Sequence, residues 1–192
     1  MTNSRRTACT SSEGTVAGRV LPGRDQNPLW RYSLRVYRLP AVESVCLALQ
    51  DGCGTDTNLL LYCCWLGEGG RSVDKRGLRA AMAALAHWQA EVIQPVRQAR
   101  RALKSARADW PDATLQELRR RLGTIELDLE YLEQWRLHEQ AQALPAAGRM
   151  LAPRKAMQQN LRRYLELMAI PASSEAWRQA QSLVDACCGP GR

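Results

Sequence analysis

The chain has 192 residues, an apolar fraction of 45% and a formal net charge of +8. Its length fits one domain, or one domain with an appendage, and allows a substantial core without disulfides. No window approaches the roughly 20 continuous apolar residues of a membrane helix, which argues against an integral membrane protein.

The N-terminus and the seven cysteines favour the reducing cytoplasm. Residues 1–26 lack the apolar core of a secretory signal, and we interpret them as a disordered tail. Cys63-Cys64 and Cys187-Cys188 are adjacent pairs, and neighbouring residues on a helix point about 100° apart, which disfavours a disulfide. We expect free thiols that pack as small apolar side chains, with metal binding or redox sensing as less favoured alternatives.

Almost every segment after residue 27 has the periodicity of a helix, and no alternating β-branched run predicts a strand. Asn27-Pro28 is a typical helix start, with Asn as the cap and Pro at the first helical position, and Pro40 ends this helix. Apolar residues between Val42 and Leu49 predict a second helix, which Gly52 or Gly54 ends.

A third helix, capped by Thr55 or Asp56, runs to Gly67. This helix is apolar on every side, yet it is too short to cross a membrane. We therefore expect it to lie at the centre of the core.

Two long segments carry a heptad spacing that predicts an antiparallel helical hairpin. The apolar stripe comprises Leu78, Met82, Leu85, Gln89, Val92, Val96, Ala99, Leu103 and Ala106 in the first arm, and Leu115, Leu118, Leu122, Ile125, Leu129 and Leu132 in the second. Asp109-Trp110-Pro111-Asp112 between them has the composition of a turn. Pro95 falls inside the first arm, where we expect it to kink the helix.

Two shorter helices, over residues 153–168 and 173–187, complete the predicted fold. The sequence thus predicts an all-α protein in which compact N-terminal helices pack on a long antiparallel helical hairpin, followed by two shorter C-terminal helices. Residues 27–188 form its single domain, and residues 189–192 are expected to fray.

Gln50, Asp51, Asp56 and Asn58 form a polar cluster at the junction of the second and third helices. Carboxylate and amide side chains beside a helix N-terminus could hold an anion, a metal ion or a polar ligand. Capping and turn chemistry explains the same residues more simply, with Asp56 as a helix cap. We keep the cluster as a possible ligand site and favour the structural explanation.

Basic residues concentrate near the turn of the hairpin. Residues 71–107 include nine basic and two acidic side chains, whereas residues 126–139 include five acidic and one basic. With the turn centred on Trp110, the acidic stretch faces mainly residues 81–94. The basic residues of this end, which we call the basic end, are Arg97, Arg100, Arg101, Lys104, Arg107, Arg119, Arg120 and Arg121. Because the acidic stretch does not face them, these basic side chains are available to bind an acidic partner.

The sequence carries no clear sign of catalysis or of a cofactor. It has no phosphate-binding glycine-rich loop with a lysine, and no cysteine and histidine in a recognisable nucleophile context. The hairpin brings His87 near His138, where Glu133 or Glu91 could complete a metal site, but boundary histidines are far commoner. We predict neither a metal nor a cofactor.

Three motifs carry a resemblance to a known family: Asn27-Pro28-Leu29-Trp30, Cys46-Leu47-Ala48-Leu49-Gln50-Asp51 and Asp56-Thr57-Asn58-Leu59-Leu60-Leu61-Tyr62-Cys63-Cys64-Trp65. The similarity continues through Trp88 and Pro95-Val96-Arg97 to Arg100-Arg101. The chain resembles small uncharacterised bacterial proteins, found chiefly in proteobacteria and classed as a domain of unknown function. The resemblance implies no reaction, cofactor or partner, and we interpret the N-terminal and C-terminal tails as additions.

Charge segregation without a catalytic constellation favours a cytoplasmic, non-enzymatic interaction or adaptor protein whose basic end binds an acidic partner protein. An RNA- or ribosome-associated protein using the same end is the alternative. A small-molecule or metal-dependent enzyme built on Asp51, Asp56 and Asn58 is a second alternative. No membrane partner is expected, and the sequence indicates no particular oligomeric state.

Overall fold

Helices provide all the regular structure in the computed structural model, which describes residues 23–105, 110–145 and 150–189. The α-helices are α1 (Pro28–Val36), α2 (Val42–Cys53), α3 (Thr57–Glu68), α4 (Lys75–Trp88), α5 (Gln94–Ser105), α6 (Asp112–Ala143), α7 (Pro153–Leu167) and α8 (Glu175–Cys188). A 3-10 helix, Arg24–Gln26, precedes α1, and a π-helix, Gln89–Ile93, joins α4 to α5. No strand occurs within these ranges, and the predicted all-α class is confirmed. None of these helices has both the length and the apolar character needed to span a bilayer.

A side-chain cap sets the start of α1, and a glycine sets the end of α2. Asn27 caps α1, because its Oδ1 accepts hydrogen bonds from the backbone N–H groups of Leu29 at 3.0 Å and of Trp30 at 3.2 Å. α2 ends at Gly54, whose φ of 65° lies in the left-handed region that favours glycine. The predicted start of the first helix and the predicted stop of the second are confirmed.

α3 is buried on every side and forms the centre of the core. Its buried apolar residues are Leu59, Leu60, Leu61, Tyr62, Cys63, Cys64 and Leu66. It packs most extensively against α7, and it also contacts α1, α2, α6 and α8. Full burial of one leucine side chain contributes about 1.5–3 kcal/mol. α7, which follows the resembling region, is therefore part of the core and not an addition.

α3 and α7 approach closely at Gly67. A Cβ atom at this position would lie 2.5 Å from the backbone nitrogen of Met157 and 2.7 Å from its Cα. Turning a side chain cannot relieve contacts of that length with the backbone, so the two helices reach this separation only because residue 67 is glycine.

α4, the π-helix and α5 form one continuous arm that runs antiparallel to α6. The indole Nε1 of Trp88 donates to the carbonyl oxygen of Leu129 at 3.3 Å, and Arg97 Nε donates to Glu126 Oε1 at 2.9 Å. Residue numbers thus rise along one arm while they fall along the other. A turn centred on Trp110 would place residue 94 opposite Glu126 and Trp88 opposite residue 132, so the two observed contacts lie on opposite sides of the predicted register, each three residues from it.

The predicted interruption at Pro95 coincides with the π-helix. Proline has no N–H group, and its ring clashes with the carbonyl group four residues earlier, which here belongs to Glu91. The backbone widens just before the proline, where the Gln94 N–H donates to the carbonyl oxygen of Gln89, five residues back. A π-helical turn of this kind changes which side chains face the neighbouring helices. Here Gln89 faces α3 and α6.

The predicted apolar stripe of α6 is only partly buried. Leu118 and Ile125 are 41% and 46% exposed. Three polar residues, Glu126, Glu133 and Gln134, are buried on α6 beside the apolar Leu115, Tyr131, Leu137 and Ala141. The heptad prediction is wrong there because these polar side chains find partners on the helices that α6 packs against.

The helical domain begins earlier than predicted. Arg24 pairs with Asp128 of α6, and its guanidinium lies 5.4 Å from the ring centroid of Trp30. Residues 23–26 are therefore not part of a disordered tail. The rest of the predicted tail, and the predicted frayed residues 190–192, lie outside the described ranges.

Most of the cysteines pack as the sequence predicted. The buried free thiols are those of Cys46, Cys63, Cys64 and Cys188. Cys53 and Cys187 are partly exposed, and Cys9 lies outside the described residues. A hydrogen bond between the Cys64 and Cys187 thiols lowers the pKa of Cys187 and raises that of Cys64. Cys187 is therefore the thiol of this pair that ionises more readily.

Candidate functional site

Two predicted residue sets meet at one cavity of about 300 Å³, which is enclosed by α1, α2, α3, α5 and α6. The polar cluster contributes Gln50, Asp51 and Asn58, and the basic end contributes Arg97, Arg100 and Arg101. Apolar side chains complete the wall, namely Trp30, Leu34, Tyr37, Leu47, Leu61 and Leu127. The two sets lie apart in the sequence, and the fold brings them together.

Asp56 is the N-cap of α3 and does not line the cavity. Its Oδ1 accepts from the backbone N–H groups of Asn58 at 2.7 Å and of Leu59 at 3.2 Å, and its Oδ2 accepts from Gln89 Nε2 at 2.5 Å. Its own backbone N–H donates to the Tyr164 hydroxyl at 2.8 Å. The structural explanation favoured by the sequence is confirmed for Asp56, whose carboxyl group is occupied within the fold.

The Asp56 carboxyl group lies near the carboxyl group of Glu133 on α6, because Gln89 Nε2 donates to both. Two neighbouring carboxylates repel each other unless one of them holds a proton. Burial, followed by the negative charge of Asp56, raises the pKa of Glu133 to about 9. Glu133 therefore carries a proton at neutral pH, and we call these two groups the acid pair.

Gln89 and Asn58 hold the acid pair in place. Gln89 Nε2 donates to Glu133 Oε1 at 2.6 Å as well as to Asp56, so one amide bridges both carboxyl groups. Asn58 Nδ2 donates to Glu133 Oε2 at 2.6 Å. The π-helix, the start of α3 and the middle of α6 are thereby joined by one buried network, which stabilises the fold because its members satisfy one another.

A chain of hydrogen bonds links the acid pair to the cavity. Gln134 Nε2 donates to Asn58 Oδ1 at 2.7 Å, and Ser33 Oγ donates to Gln134 Oε1 at 3.0 Å. Ser33, Asn58 and Gln134 line the cavity, whereas Glu133 does not. Side-chain amides and a hydroxyl therefore connect the buried proton to the polar wall of the cavity.

The remaining members of the polar cluster lie towards the cavity mouth. Gln50 Oε1 accepts from the Thr57 hydroxyl at 3.3 Å, which ties the end of α2 to the start of α3. Asp51 is exposed and forms no ion pair with another described residue. The four residues thus do not converge on one point, since Asp56 belongs to the acid pair, Asn58 bonds to its Glu133, and Asp51 faces solvent.

Sequence reasoning missed the roles of Gln89 and Gln134, and it considered Glu133 only as a metal ligand. Gln89 was assigned to the apolar stripe of the first arm. The available signal was a glutamine at an apolar position six residues before Pro95, in the segment that the proline forces out of regular α-helix. A polar residue at such a position indicates a buried partner.

Arg97 is buried in ion pairs within the fold. It is 8% exposed, and it donates to Glu126 at 2.9 Å and to Glu130 at 2.6 Å. Arg100 Nε donates to the other oxygen of Glu126 at 2.6 Å. Burial alone would lower the pKa of Arg97, but the bonds to Glu130 and Glu126 outweigh burial and raise it. The prediction that the acidic stretch faces mainly residues 81–94 is wrong for these glutamates, which neutralise Arg97 and Arg100.

Other cations of the basic end keep their charge at the surface. Arg101, Lys104 and Arg121 are exposed, and none of them forms an ion pair within the part of the chain that is described. Trp110, at the turn, is 66% exposed, and Leu118 lies exposed on α6. The turn of the hairpin thus combines free cations with exposed apolar side chains.

The other arginines of the basic end are placed differently. Arg120 pairs with Glu117 on the same helix at 2.7 Å, and both side chains are exposed. Arg119 is half-buried, and its Nε has no hydrogen-bond partner among the residues described. Arg107 lies outside those residues. Binding of a partner by the basic end stays a prediction.

The two histidines take no part in a metal cluster within the described ranges. His138 packs its ring against Trp65 with 5.8 Å between centroids, and burial lowers its pKa. His87 is exposed on α4. Over residues 23–105, 110–145 and 150–189, no group of three or more His, Cys, Asp or Glu side chains is arranged to hold a metal ion.

Comparison with known proteins identifies a family model and no activity. The model described as "Protein of unknown function (DUF2390)" matches residues 28–137. This stretch contains α1 to α5, most of α6 and every residue of the cavity wall. No curated protein and no solved structure matches the chain.

Proposed function

The chain belongs to the DUF2390 family of proteins of unknown function, and we propose that this member is a non-enzymatic interaction protein of the cytoplasm. Its basic end binds an acidic surface of a partner protein. The observation that carries this proposal is the unpaired charge of the exposed Arg101, Lys104 and Arg121, on a hairpin that also exposes Trp110. Free thiols on the described cysteines are consistent with a reducing compartment.

The cations near the turn are not needed to balance charges inside the protein. Glu126 and Glu130 already neutralise Arg97 and Arg100. Arg100 lies beside Gly123, so further along the antiparallel arms Lys104 comes level with the first of the arginines at 119–121. Like charges gathered in this way create a positive potential that accelerates the approach of an acidic partner.

Trp110 adds the apolar part of a binding surface. Residues that dominate protein interfaces are most often tryptophan, tyrosine and arginine. Trp110, which is 66% exposed, and the exposed arginines of the basic end supply these residue types on one hairpin. We therefore expect the partner to place an apolar side chain on Trp110 and acidic side chains on the cations further along the arms.

Charge reversal tests the proposal. The test variant is Lys104→Glu with Arg121→Glu, and the matched control is Arg38→Glu with Arg79→Glu, which removes the same charge from exposed positions elsewhere. Arg101 is left unchanged because it also lines the cavity. Affinity purification from the native host should lose its acidic partner with the test variant only. Equal recovery with both variants would show that the proposal is wrong.

The exposure of Trp110 also favours a second candidate, the binding of single-stranded RNA. Proteins of this kind combine a basic surface with aromatic side chains on which bases stack. Titration with a labelled RNA should give an affinity that falls steeply with salt, and Trp110→Ala should weaken binding about tenfold. Absence of binding at low salt removes this candidate.

The enzyme alternative built on Asp51, Asp56 and Asn58 has lost its geometric support. Asp56 accepts three hydrogen bonds from the protein itself, and both ends of the Asn58 amide are occupied by Glu133 and Gln134. These side chains are already committed to neighbouring residues, and we do not propose this activity.

A further inference from the structure

The cavity beside the acid pair has the size and the lining of a small-molecule site. Its volume of about 300 Å³ lies at the lower end of the range for ligand pockets, which is about 300–1,000 Å³. The cavity lies between helices that the buried ion pairs and the amide network hold together. A cavity with such a rigid wall keeps its shape before a ligand arrives.

Three leucines around the mouth leave apolar surface open to solvent. Leu34, Leu47 and Leu127 come from three different helices, and each is more than two-fifths exposed. Deeper in, the wall contains the buried side chains of Trp30 and Leu61. A ligand with an apolar body covers this surface, and removal of apolar surface from water favours binding.

The charges around the cavity leave one unpaired group of each sign. Two arginines and two glutamates of the wall neutralise one another, since Arg97 and Arg100 are bonded to Glu126 and Glu130. Asp51 on α2 and Arg101 on α5 are the other charged residues of the lining. Both are exposed and neither forms an ion pair within the described part of the chain.

We propose that this cavity binds a small zwitterion with an apolar body, the chemistry of an apolar α-amino acid. Its ammonium group pairs with Asp51, its carboxylate pairs with Arg101, and its apolar part contacts the three leucines. A ligand with a single charge leaves either Asp51 or Arg101 without a counter-charge at the mouth. The electrically balanced wall behind them offers no further net charge to a ligand.

Calorimetric titration of the full chain tests this site with defined probes. L-leucine, L-phenylalanine and L-tryptophan supply the zwitterion with apolar bodies of different size. For the tightest of the three, the N-acetyl derivative keeps only the carboxylate and the amide derivative keeps only the ammonium group. We expect the parent amino acid to bind about fivefold more tightly than either derivative, as one exposed ion pair allows.

Two variants assign each charge to its partner. Asp51→Asn should abolish the preference over the N-acetyl derivative and keep the preference over the amide, whereas Arg101→Gln should do the reverse. Glu43→Gln on α2 and Lys104→Gln on α5 remove exposed charges from the same helices outside the cavity lining, and they should change neither preference. This pattern is specific to a ligand that spans both residues.

Several outcomes overturn the proposal. These are the absence of binding by all three amino acids at millimolar concentration, equal affinity for the parent and both derivatives, and unchanged preferences in Asp51→Asn and Arg101→Gln. Lys104→Glu with Arg121→Glu should leave amino-acid binding intact, so the interaction proposed for the basic end and the ligand proposed for the cavity can fail independently.

Discussion

Glu133 on α6 and Asp56 at the start of α3 are bridged in the interior of the protein by the side-chain amide of Gln89. The unfolded chain releases the Glu133 proton near the ordinary pKa of 4.5, whereas burial and the charge of Asp56 raise this pKa to about 9 in the folded chain. Because the unfolded state loses the proton first, the contribution to stability is complete below the lower value and is lost as pH rises towards the higher one. This contribution is on the order of a few kcal/mol.

Glu133→Gln removes the titrating group and keeps an amide that can accept from Asn58 and donate to Asp56. We expect the urea midpoint of the wild-type protein to fall between about pH 5 and about pH 9 more steeply than that of the variant. Glu43→Gln, which changes an exposed carboxyl group, should follow the wild type. Parallel curves for the wild type and Glu133→Gln would rule out a proton held at this position.

Arg97→Leu leaves Glu130 without its cation, whereas Glu126 keeps its pair with Arg100. Removal of one partner from a buried ion pair costs about 3–5 kcal/mol, so the urea midpoint should fall markedly. The double variant that adds Glu130→Gln leaves no unpaired carboxylate and should recover most of the loss. Denaturation of both variants at one pH measures the difference.

Arg120→Ala is the control for this experiment, since it breaks the exposed pair with Glu117. Exposed pairs contribute little because water screens them, and we expect no measurable change in the midpoint. A similar loss in Arg120→Ala and Arg97→Leu would mean that burial of the pair is not what matters.

Gly67→Ala should destabilise the protein by about 1–3 kcal/mol or more, because its methyl group meets the backbone of Met157. Gly52→Ala on α2 is the matched control, since a Cβ there meets no atom within 4 Å. Alanine favours helix over glycine, so the control should be neutral or stabilising. Thermal denaturation compares the two, and equal melting temperatures would contradict the close approach of α3 and α7.

Cys187 should react with iodoacetamide faster than the buried Cys63. The hydrogen bond from Cys64 lowers the pKa of Cys187, and burial raises the pKa of Cys63, so Cys187 is the more readily ionised of these two thiols. Tandem mass spectrometry of the labelled protein measures both rates. Cys64→Ala should slow the labelling of Cys187, and equal rates at the two cysteines in the native protein would refute this expectation.

Helix ends were predictable because capping is local chemistry. The Asn27 side chain, the left-handed backbone of Gly54 and the Asp56 carboxyl group act within a few residues of themselves. The central position of α3 was predictable for a similar reason, since a helix that is apolar on every side can only be buried.

The acid pair and the register of the hairpin depend on contacts between distant parts of the chain. Burial of Glu133 is favourable only because Gln89 and Asn58 arrive from two other elements. Leu118 and Ile125 fit a heptad stripe in the sequence, yet both are exposed. Glu126 and Glu133 are buried on α6 instead, because Arg97 and Asn58 bond to them. Arg97 is buried for the same reason, because Glu126 and Glu130 on α6 form ion pairs with it. No local sequence pattern predicts these contacts.

Because α3 packs closely on α7, the core of the fold extends beyond the residues that match the family model. The family model ends at residue 137, but Met157, Leu161 and Tyr164 on α7 belong to the same core as α3. A fragment ending at residue 137 lacks this cover and exposes a broad apolar face, which favours aggregation. We therefore expect that the matched region does not fold on its own, and that a truncated protein needs the C-terminal helices.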